Sequence, residues 1–93
     1  MFKKILLVDD DSLVLNSTRR FLEDRGFKVS AAGSGAEAVA LARDSKPDLV
    51  ITDAQMKGLD GFTLCRAIKE TDGFERVPVI IISGSKVSEE DIL

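Results

Sequence analysis

Asp48-Leu49-Val50-Ile51-Thr52-Asp53 is the stretch that decides the fold, because it is an apolar run that ends on a carboxylate. Its centre, Leu49-Val50-Ile51, shows no alternation of polar and apolar side chains, which is typical of a strand buried on both faces of a parallel sheet. Parallel sheets carry their chemistry just beyond the carboxyl ends of the strands. The stretch therefore predicts an α/β fold with Asp53 at the functional edge of the sheet.

Two other apolar runs end in polar groups that would reach the same edge. Residues 5–8 (ILLV) lead into three consecutive aspartates, 9–11, and residues 79–82 (VIII) lead into Ser83. Helical patterns separate the runs, so the order is β-α-β-α-β-α-β. Right-handed crossovers then predict one domain built as an open parallel sheet with helices on both faces.

Capping signals and glycines give approximate bounds to these elements. Asp11 or Ser12 can cap the first helix, residues 34–37 (SGAE) form a capping box, and Asp60 can cap the third helix. The predicted strands are 4–8, 27–31, 48–52 and 79–83, and the predicted helices are 12–25, 35–45 and 61–71.

The last predicted strand, residues 79–83, is apolar throughout, which suits the interior of a sheet better than its edge. We therefore expect a natural fold with at least one more strand and helix after Leu93, so that residues 1–93 form a domain incomplete at its C-terminus. The isolated chain is then expected to fold poorly or to complete its sheet with a second copy, by strand exchange.

Composition excludes several classes of function. The net charge of the 93 residues is −3 and no basic cluster exceeds two residues, which argues against direct nucleic-acid binding. No apolar run is long enough to span a membrane, and the N-terminus does not have the pattern of a secretory signal. Histidine is absent and the single cysteine, Cys65, falls in a helical pattern. A reducing, cytoplasmic location fits these features.

The carboxylates at the predicted edge indicate a metal site. Two like charges about 4 Å apart repel by about 4 kcal/mol at an effective dielectric constant of 20, so Asp9, Asp10 and Asp53 together need raised pKa values or a cation. Oxygen ligands without histidine favour Mg²⁺, which leaves positions open for a phosphoryl group. A carboxylate can then accept that group as an aspartyl phosphate, helped by donors such as the Ser83 hydroxyl and loop amides near Ala54.

Three segments at this spacing resemble the receiver (CheY-like) domain of bacterial two-component response regulators. They are residues 5–11 (ILLVDDD), 47–62 (PDLVITDAQMKGLDGF) and 77–84 (VPVIIISG). The resemblance covers the whole chain. It implies a flavodoxin-like fold with strand order 2-1-3-4-5, of which the fifth strand and last helix are absent from these residues. It also implies that the chain acts in a phosphorelay, with a histidine kinase or phosphotransfer protein as its partner, and that it is not a turnover enzyme.

The resemblance assigns roles to residues that match the family motif. Asp53 would be the phosphoacceptor and a metal ligand, and Asp10 a direct Mg²⁺ ligand. Asp9 would bind the ion through water, and Gln55 through its main-chain oxygen. The Ser83 hydroxyl would turn toward the phosphoryl group, and the backbone of Ala54 and Gly84 would bind that group.

Two positions depart from the family pattern. Lys57 stands where the family usually has proline, which should loosen the loop without touching a ligand. The lysine that the family carries about twenty residues after Ser83 has no counterpart, and Lys86 lies too close to Ser83 to replace it. We therefore expect phosphoryl transfer by these 93 residues to be impaired.

Three other interpretations remain open at this point. In a phosphatase of the haloacid dehalogenase type, Asp9 would be the nucleophile and Asp53 incidental. Residues 33–38 (GSGAEA) fit a dinucleotide-binding fingerprint, although weakly. A degenerate or engineered fragment could keep the fold and act only as an interaction or oligomerisation module.

Overall fold

The computed structural model describes residues 3–56, 59–71 and 73–82. Four residues named in the sequence analysis, Lys57, Ser83, Gly84 and Lys86, lie outside these ranges, so what was expected of them stays a prediction. The elements in chain order are β1 (Lys4–Val8), α1 (Ser12–Glu23), β2 (Lys28–Ala32), α2 (Gly35–Ser45), β3 (Leu49–Asp53), β4 (Gln55–Met56), β5 (Leu59–Asp60), α3 (Gly61–Lys69) and β6 (Val79–Ile82).

Four strands form one parallel sheet in the order β2-β1-β3-β6. This confirms the flavodoxin-like order 2-1-3-4, with β6 as the fourth strand of the sheet. The register places Val8 beside Thr52 and Asp53 beside Ile82, so the carboxyl ends of β1, β3 and β6 meet at one edge. The strand order came from the family resemblance, because hydrophobic patterns do not specify which strands are neighbours.

The connection between β3 and α3 contains an element that the sequence did not indicate. Gln55–Met56 and Leu59–Asp60 pair as an antiparallel two-stranded sheet, with Gln55 opposite Asp60. Strands of two residues are too short to show a period of two, so this connection was predicted only as a loop.

The main core lies between the sheet and the two helices α2 and α3, which pack against each other. Its buried residues are Leu6, Val8, Ala32, Ala38, Ala42, Val50, Leu64, Ile68 and Phe74. In β1, Leu6 and Val8 belong to this core while Ile5 and Leu7 project to the opposite face, because successive side chains of a strand alternate. The opposite face is the one that α1 covers, as right-handed crossovers require.

The α1 face is less completely covered. No residue of α1 is fully buried, and Leu13, Val14 and Phe21 are exposed. Two residues of β6, Ile80 and Ile82, are also exposed, and Ile80 shares this face with its partner Ile51. Within the described residues, β6 is an edge strand.

Element ends differ from the sequence prediction by one or two residues, for identifiable reasons. α3 ends at Lys69 rather than near Thr71, because the Thr71 N–H donates to the Ile68 carbonyl three residues earlier, a turn tighter than α-helix. β3 runs to Asp53 rather than residue 52, because Asp53 still pairs with Ile82. The Asp53 carboxylate therefore belongs to the last residue of the strand and not to the loop.

Candidate functional site

Three aspartates meet at the carboxyl edge of the sheet. Asp9 and Asp10 follow β1, and Asp53 ends β3, the neighbouring strand. One carboxylate oxygen from each lies within 4.8 Å of the other two. Asp9 is buried, Asp53 is half-buried and Asp10 is exposed, so the cluster opens to solvent on one side.

Asp9 is held firmly by backbone hydrogen bonds. Its N–H donates to the Ala32 carbonyl at 3.1 Å, and its Oδ1 accepts from the Asp11 N–H at 2.9 Å. Asp11 in turn caps α1 by accepting from the N–H groups of Leu13 and Val14. The interpretation of Asp11 as a cap rather than a site residue agrees with these contacts, and the cap fixes the loop that carries Asp9 and Asp10.

The cluster is electrostatically costly for the chain alone. Burial raises the pKa of Asp9 above its usual value of 3.8, and the nearby charges of Asp53, Asp10 and Asp11 raise it further, while the Asp11 N–H opposes the shift. Three convergent oxygen ligands with no histidine suit a hard divalent cation. The residues present therefore fit Mg²⁺, with the open side available for water or a phosphoryl oxygen.

The peptide that follows Asp53 is fixed by several contacts. The Ala54 N–H donates to the Ile82 carbonyl at 2.7 Å, and the Ala54 carbonyl accepts from the Gly61 N–H at 2.8 Å. Ala54 was predicted to offer its amide to a phosphoryl group. That amide would have to share or leave the Ile82 carbonyl to do so, which sequence alone cannot reveal.

Gly61, the first residue of α3, lies unusually close to the end of β3. A Cβ built on Gly61 would lie 2.5 Å from the main-chain oxygen of Asp53 and 3.2 Å from the Ala54 Cα. From the sequence, Gly61 was predicted only as the first residue of the third helix. The preceding residue, Asp60, caps α3 by accepting from the Thr63 N–H at 2.7 Å, which lowers the pKa of Asp60. A glycine directly after a helix cap was the one signal of this close approach.

The glycine-rich turn before α2 is already occupied by the chain's own side chains. The Gly33 N–H donates to Glu37 Oε1 at 2.7 Å, and the Glu37 N–H donates to Ser34 Oγ at 3.2 Å. This is the predicted capping box, with the back-bond made one residue earlier than usual. The Glu37 carboxylate thus stands where a dinucleotide phosphate would have to bind, which argues against the dinucleotide interpretation.

A family model described as "Response regulator receiver domain" matches residues 5–92. The chain belongs to this family. Receiver domains act in two-component phosphorelay signalling and are not classic turnover enzymes. They bind Mg²⁺ at an acidic pocket, and this chain has a cluster of Asp9, Asp10 and Asp53.

The relatives of this receiver are response regulators and related signalling proteins. It is 39% identical to Protein PilH of Pseudomonas aeruginosa, covering 95% of this chain and 72% of PilH. It is 38% identical to Response regulator MprA of Mycobacterium sp. (strain KMS), covering 92% of this chain and 37% of MprA. It is 34% identical to Transcriptional regulatory protein AfsQ1 of Streptomyces coelicolor, over 85% of this chain and 34% of AfsQ1. The chain thus spans about a third of the length of MprA and AfsQ1.

Solved structures give the same fold. The chemotaxis protein CheY4 of Vibrio cholerae superposes on the receiver with a TM-score of 0.89 at 28% identity, covering 97% of this chain and 74% of that one. A response regulator receiver protein from Methanoculleus marisnigri gives a TM-score of 0.85 at 28% identity, covering 96% of this chain and 72% of its own. In the described part of the receiver, none of the helices combines the length and apolarity needed to cross a bilayer.

Asp9→Asn is expected to stabilise the metal-free receiver at neutral pH. Because the folded pKa of Asp9 is raised, the folded state binds this proton more tightly than the unfolded state, and stability falls as pH rises from 3.8 through the folded pKa. Asparagine removes the charge and keeps an Oδ1 to accept from Asp11. Urea unfolding in a chelator should give a higher midpoint for Asp9→Asn at pH 7, and the two proteins should converge below pH 4. A wild type that gains no stability relative to the variant on acidification would contradict this.

Proposed function

We propose that the receiver accepts a phosphoryl group on the carboxylate of Asp53 in a reaction that needs Mg²⁺. Asp10, Asp53 and the main-chain oxygen of Gln55 would hold the ion, with Asp9 bound to it through water. The observation that carries this proposal is the convergence of three carboxylates within 4.8 Å at adjacent strand ends, in a chain of this family. The donor is the phosphohistidine of a histidine kinase or phosphotransfer protein, and the setting is the cytoplasm.

The reaction is a displacement at phosphorus. An Asp53 oxygen attacks, the P–N bond of the phosphohistidine breaks, and the imidazole leaves with a proton from solvent. Water later cleaves the mixed anhydride and returns the Asp53 carboxylate and inorganic phosphate, so the chain catalyses its own phosphorylation and dephosphorylation. Bound Mg²⁺ would supply positive charge for the phosphoryl oxygens. The Ser83 hydroxyl and the amides of Ala54 and Gly84 are the proposed hydrogen-bond donors to the same oxygens.

The contacts of the two carboxylates favour Asp53 over Asp9 as the nucleophile. Asp9 is only 8% exposed, and one of its oxygens already accepts from the Asp11 N–H. Asp53 is half-buried and ends its strand at the open side of the cluster. In a phosphatase mechanism Asp9 would have to attack the substrate, although Asp9 is less accessible to solvent than Asp53.

The test is phosphorylation of the 93-residue chain by acetyl phosphate, followed by intact mass and by mapping of the modified residue. We expect one phosphoryl group on Asp53 with Mg²⁺ and none with a chelator. Asp53→Asn should lose the modification entirely. Asp48→Asn is the matched control, because Asp48 precedes the same strand at its other end and its carboxylate accepts from the Lys4 N–H, away from the cluster.

Each other outcome contradicts the proposal in a different way. Modification of Asp9 instead of Asp53 would favour the phosphatase interpretation. A folded chain that takes up no phosphoryl group at any Mg²⁺ concentration would favour a module that acts only by interaction. Because no residue of these 93 matches the family's lysine, the rate is expected to be low, and incubations should extend to hours.

A further inference from the structure

Thr52 is a polar residue in the centre of the apolar core. It lies on β3 between Ile51 and Asp53, pairs with Val8 of β1, and is 0% exposed. Val50, two residues earlier on the same face, is buried in the same core. A valine would match the shape of threonine here without the cost of burying a hydroxyl, so the hydroxyl needs an explanation beyond packing.

The hydroxyl of Thr52 has a partner in the acceptor segment. Thr52 Oγ1 donates to the main-chain oxygen of Asp53 at 3.1 Å. The other end of the same peptide unit, the Ala54 N–H, donates to the Ile82 carbonyl at 2.7 Å. The peptide plane between Asp53 and Ala54 is therefore held from both ends.

Gly61 closes the third side of this peptide. Its backbone lies so close to the Asp53 oxygen that a Cβ would stand 2.5 Å away, and its N–H donates to the Ala54 carbonyl. The Asp53 carboxylate projects from one side of the held peptide, and the main-chain oxygen of Gln55 follows two residues later. A change in ψ at Asp53 would move the main-chain oxygen of Gln55 relative to the Asp53 carboxylate, and these are two of the predicted metal ligands.

We propose that Thr52 is a positioning residue for phosphoryl acceptance, in which its buried hydroxyl fixes the Asp53–Ala54 peptide and thereby the direction of the Asp53 carboxylate. This inference rests on the proposed function of Asp53. The hydroxyl touches no reacting atom and acts only through the main-chain oxygen of Asp53. A displacement of 1 Å in an attacking group can cost about 10²-fold in rate, so the loss of one hydrogen bond that positions the Asp53 carboxylate can slow the reaction.

The experiment compares wild type with Thr52→Val and Thr52→Ser. Valine keeps the shape and removes the hydroxyl, whereas serine keeps the hydroxyl and removes the methyl group. Three quantities are measured: the urea midpoint, the rate of Mg²⁺-dependent phosphorylation by acetyl phosphate, and hydrogen exchange of the Ala54 amide. The Val50 amide, which donates to the Pro78 carbonyl in the same ladder, is the internal reference for exchange.

We expect the rate to follow the presence of the hydroxyl and not the stability. Thr52→Val should lose some stability, because the Asp53 oxygen loses the Thr52 donor, and should be phosphorylated about tenfold more slowly, with faster exchange at Ala54 and unchanged exchange at Val50. Thr52→Ser should be less stable, because it leaves a small cavity, yet recover most of the rate and of the Ala54 protection.

Two results would overturn the proposal. One is a Thr52→Val variant with wild-type rate and wild-type exchange at Ala54. The other is a rate that follows stability across the three proteins, with serine slower than valine, which would make Thr52 a packing residue only. If wild type itself accepts no phosphoryl group, the proposed function fails. Exchange at Ala54 still decides in that case whether the hydroxyl fixes the peptide, and unchanged exchange in Thr52→Val overturns the inference.

Discussion

Gly61→Ala is expected to destabilise the receiver by about 3 kcal/mol, an overpacking cost at the upper end of the usual range. The new Cβ would stand 2.5 Å from the Asp53 oxygen and 3.2 Å from the Ala54 Cα, and both are backbone atoms that cannot move aside cheaply. Alanine would otherwise favour a helical position by up to about 1 kcal/mol, so the clash must exceed that gain. Total stability for a domain of this size is roughly 5–14 kcal/mol, and the loss would be a large part of it.

Urea unfolding measures this loss, and phosphorylation measures its effect on the site. The matched control is Gly33→Ala. The nearest atom to a Cβ on Gly33 is Glu37 Oε1 at 3.8 Å, an ordinary contact, so this variant should unfold within about 1 kcal/mol of wild type. Because the clash is with the backbone of Asp53, the proposed phosphoryl acceptor, Gly61→Ala should also slow phosphorylation of the protein that remains folded. Equal midpoints for the two variants would show that α3 does not approach Asp53 as described.

Leu64→Ala is expected to cost about 2–5 kcal/mol, enough to bring a domain of this size close to unfolding at 37 °C. Leu64 is 0% exposed, on the face of α3 that packs into the main core. Phe62→Ala is the control on the same helix. Phe62 is 55% exposed, so removal of its larger side chain should cost less than Leu64→Ala. A thermal unfolding series that ranked the two variants in the reverse order would contradict the assignment of the core face of α3.

The sequence predicted the alternation of strands and helices because apolar runs, caps and glycines give local signals. It also predicted which residues would lie near one another, since the carboxyl ends of parallel strands meet at one edge. Asp9 and Asp10 follow β1 and Asp53 ends β3, and the three carboxylates do come together at that edge. The order of the strands needed the family resemblance, because a buried strand carries no information about its neighbours.

The features that the sequence did not reveal depend on register and close approach. The Ala54 amide looks available in the sequence, and only the pairing of β3 with β6 shows that it already donates to the Ile82 carbonyl. The sequence indicates only a strand position for Thr52 and only a helix boundary for Gly61. The Gly61 contact with the Asp53 peptide arises when α3 folds back over the strand, and the Thr52 hydroxyl bonds the next residue within β3. No local sequence pattern reports either contact.

The position of β6 at the edge of the described sheet affects how readily the receiver should self-associate in concentrated solutions. Ile80 and Ile82 are exposed, and among the described residues no strand lies beyond β6. An edge strand of this kind can pair with the same edge strand of another molecule and promote aggregation in concentrated samples. Stock solutions should therefore keep best when dilute and cold, and the assays described above belong in the low micromolar range. Ile80→Lys would place a charge on this edge strand and oppose such pairing, so it is the first substitution to test for crystallisation.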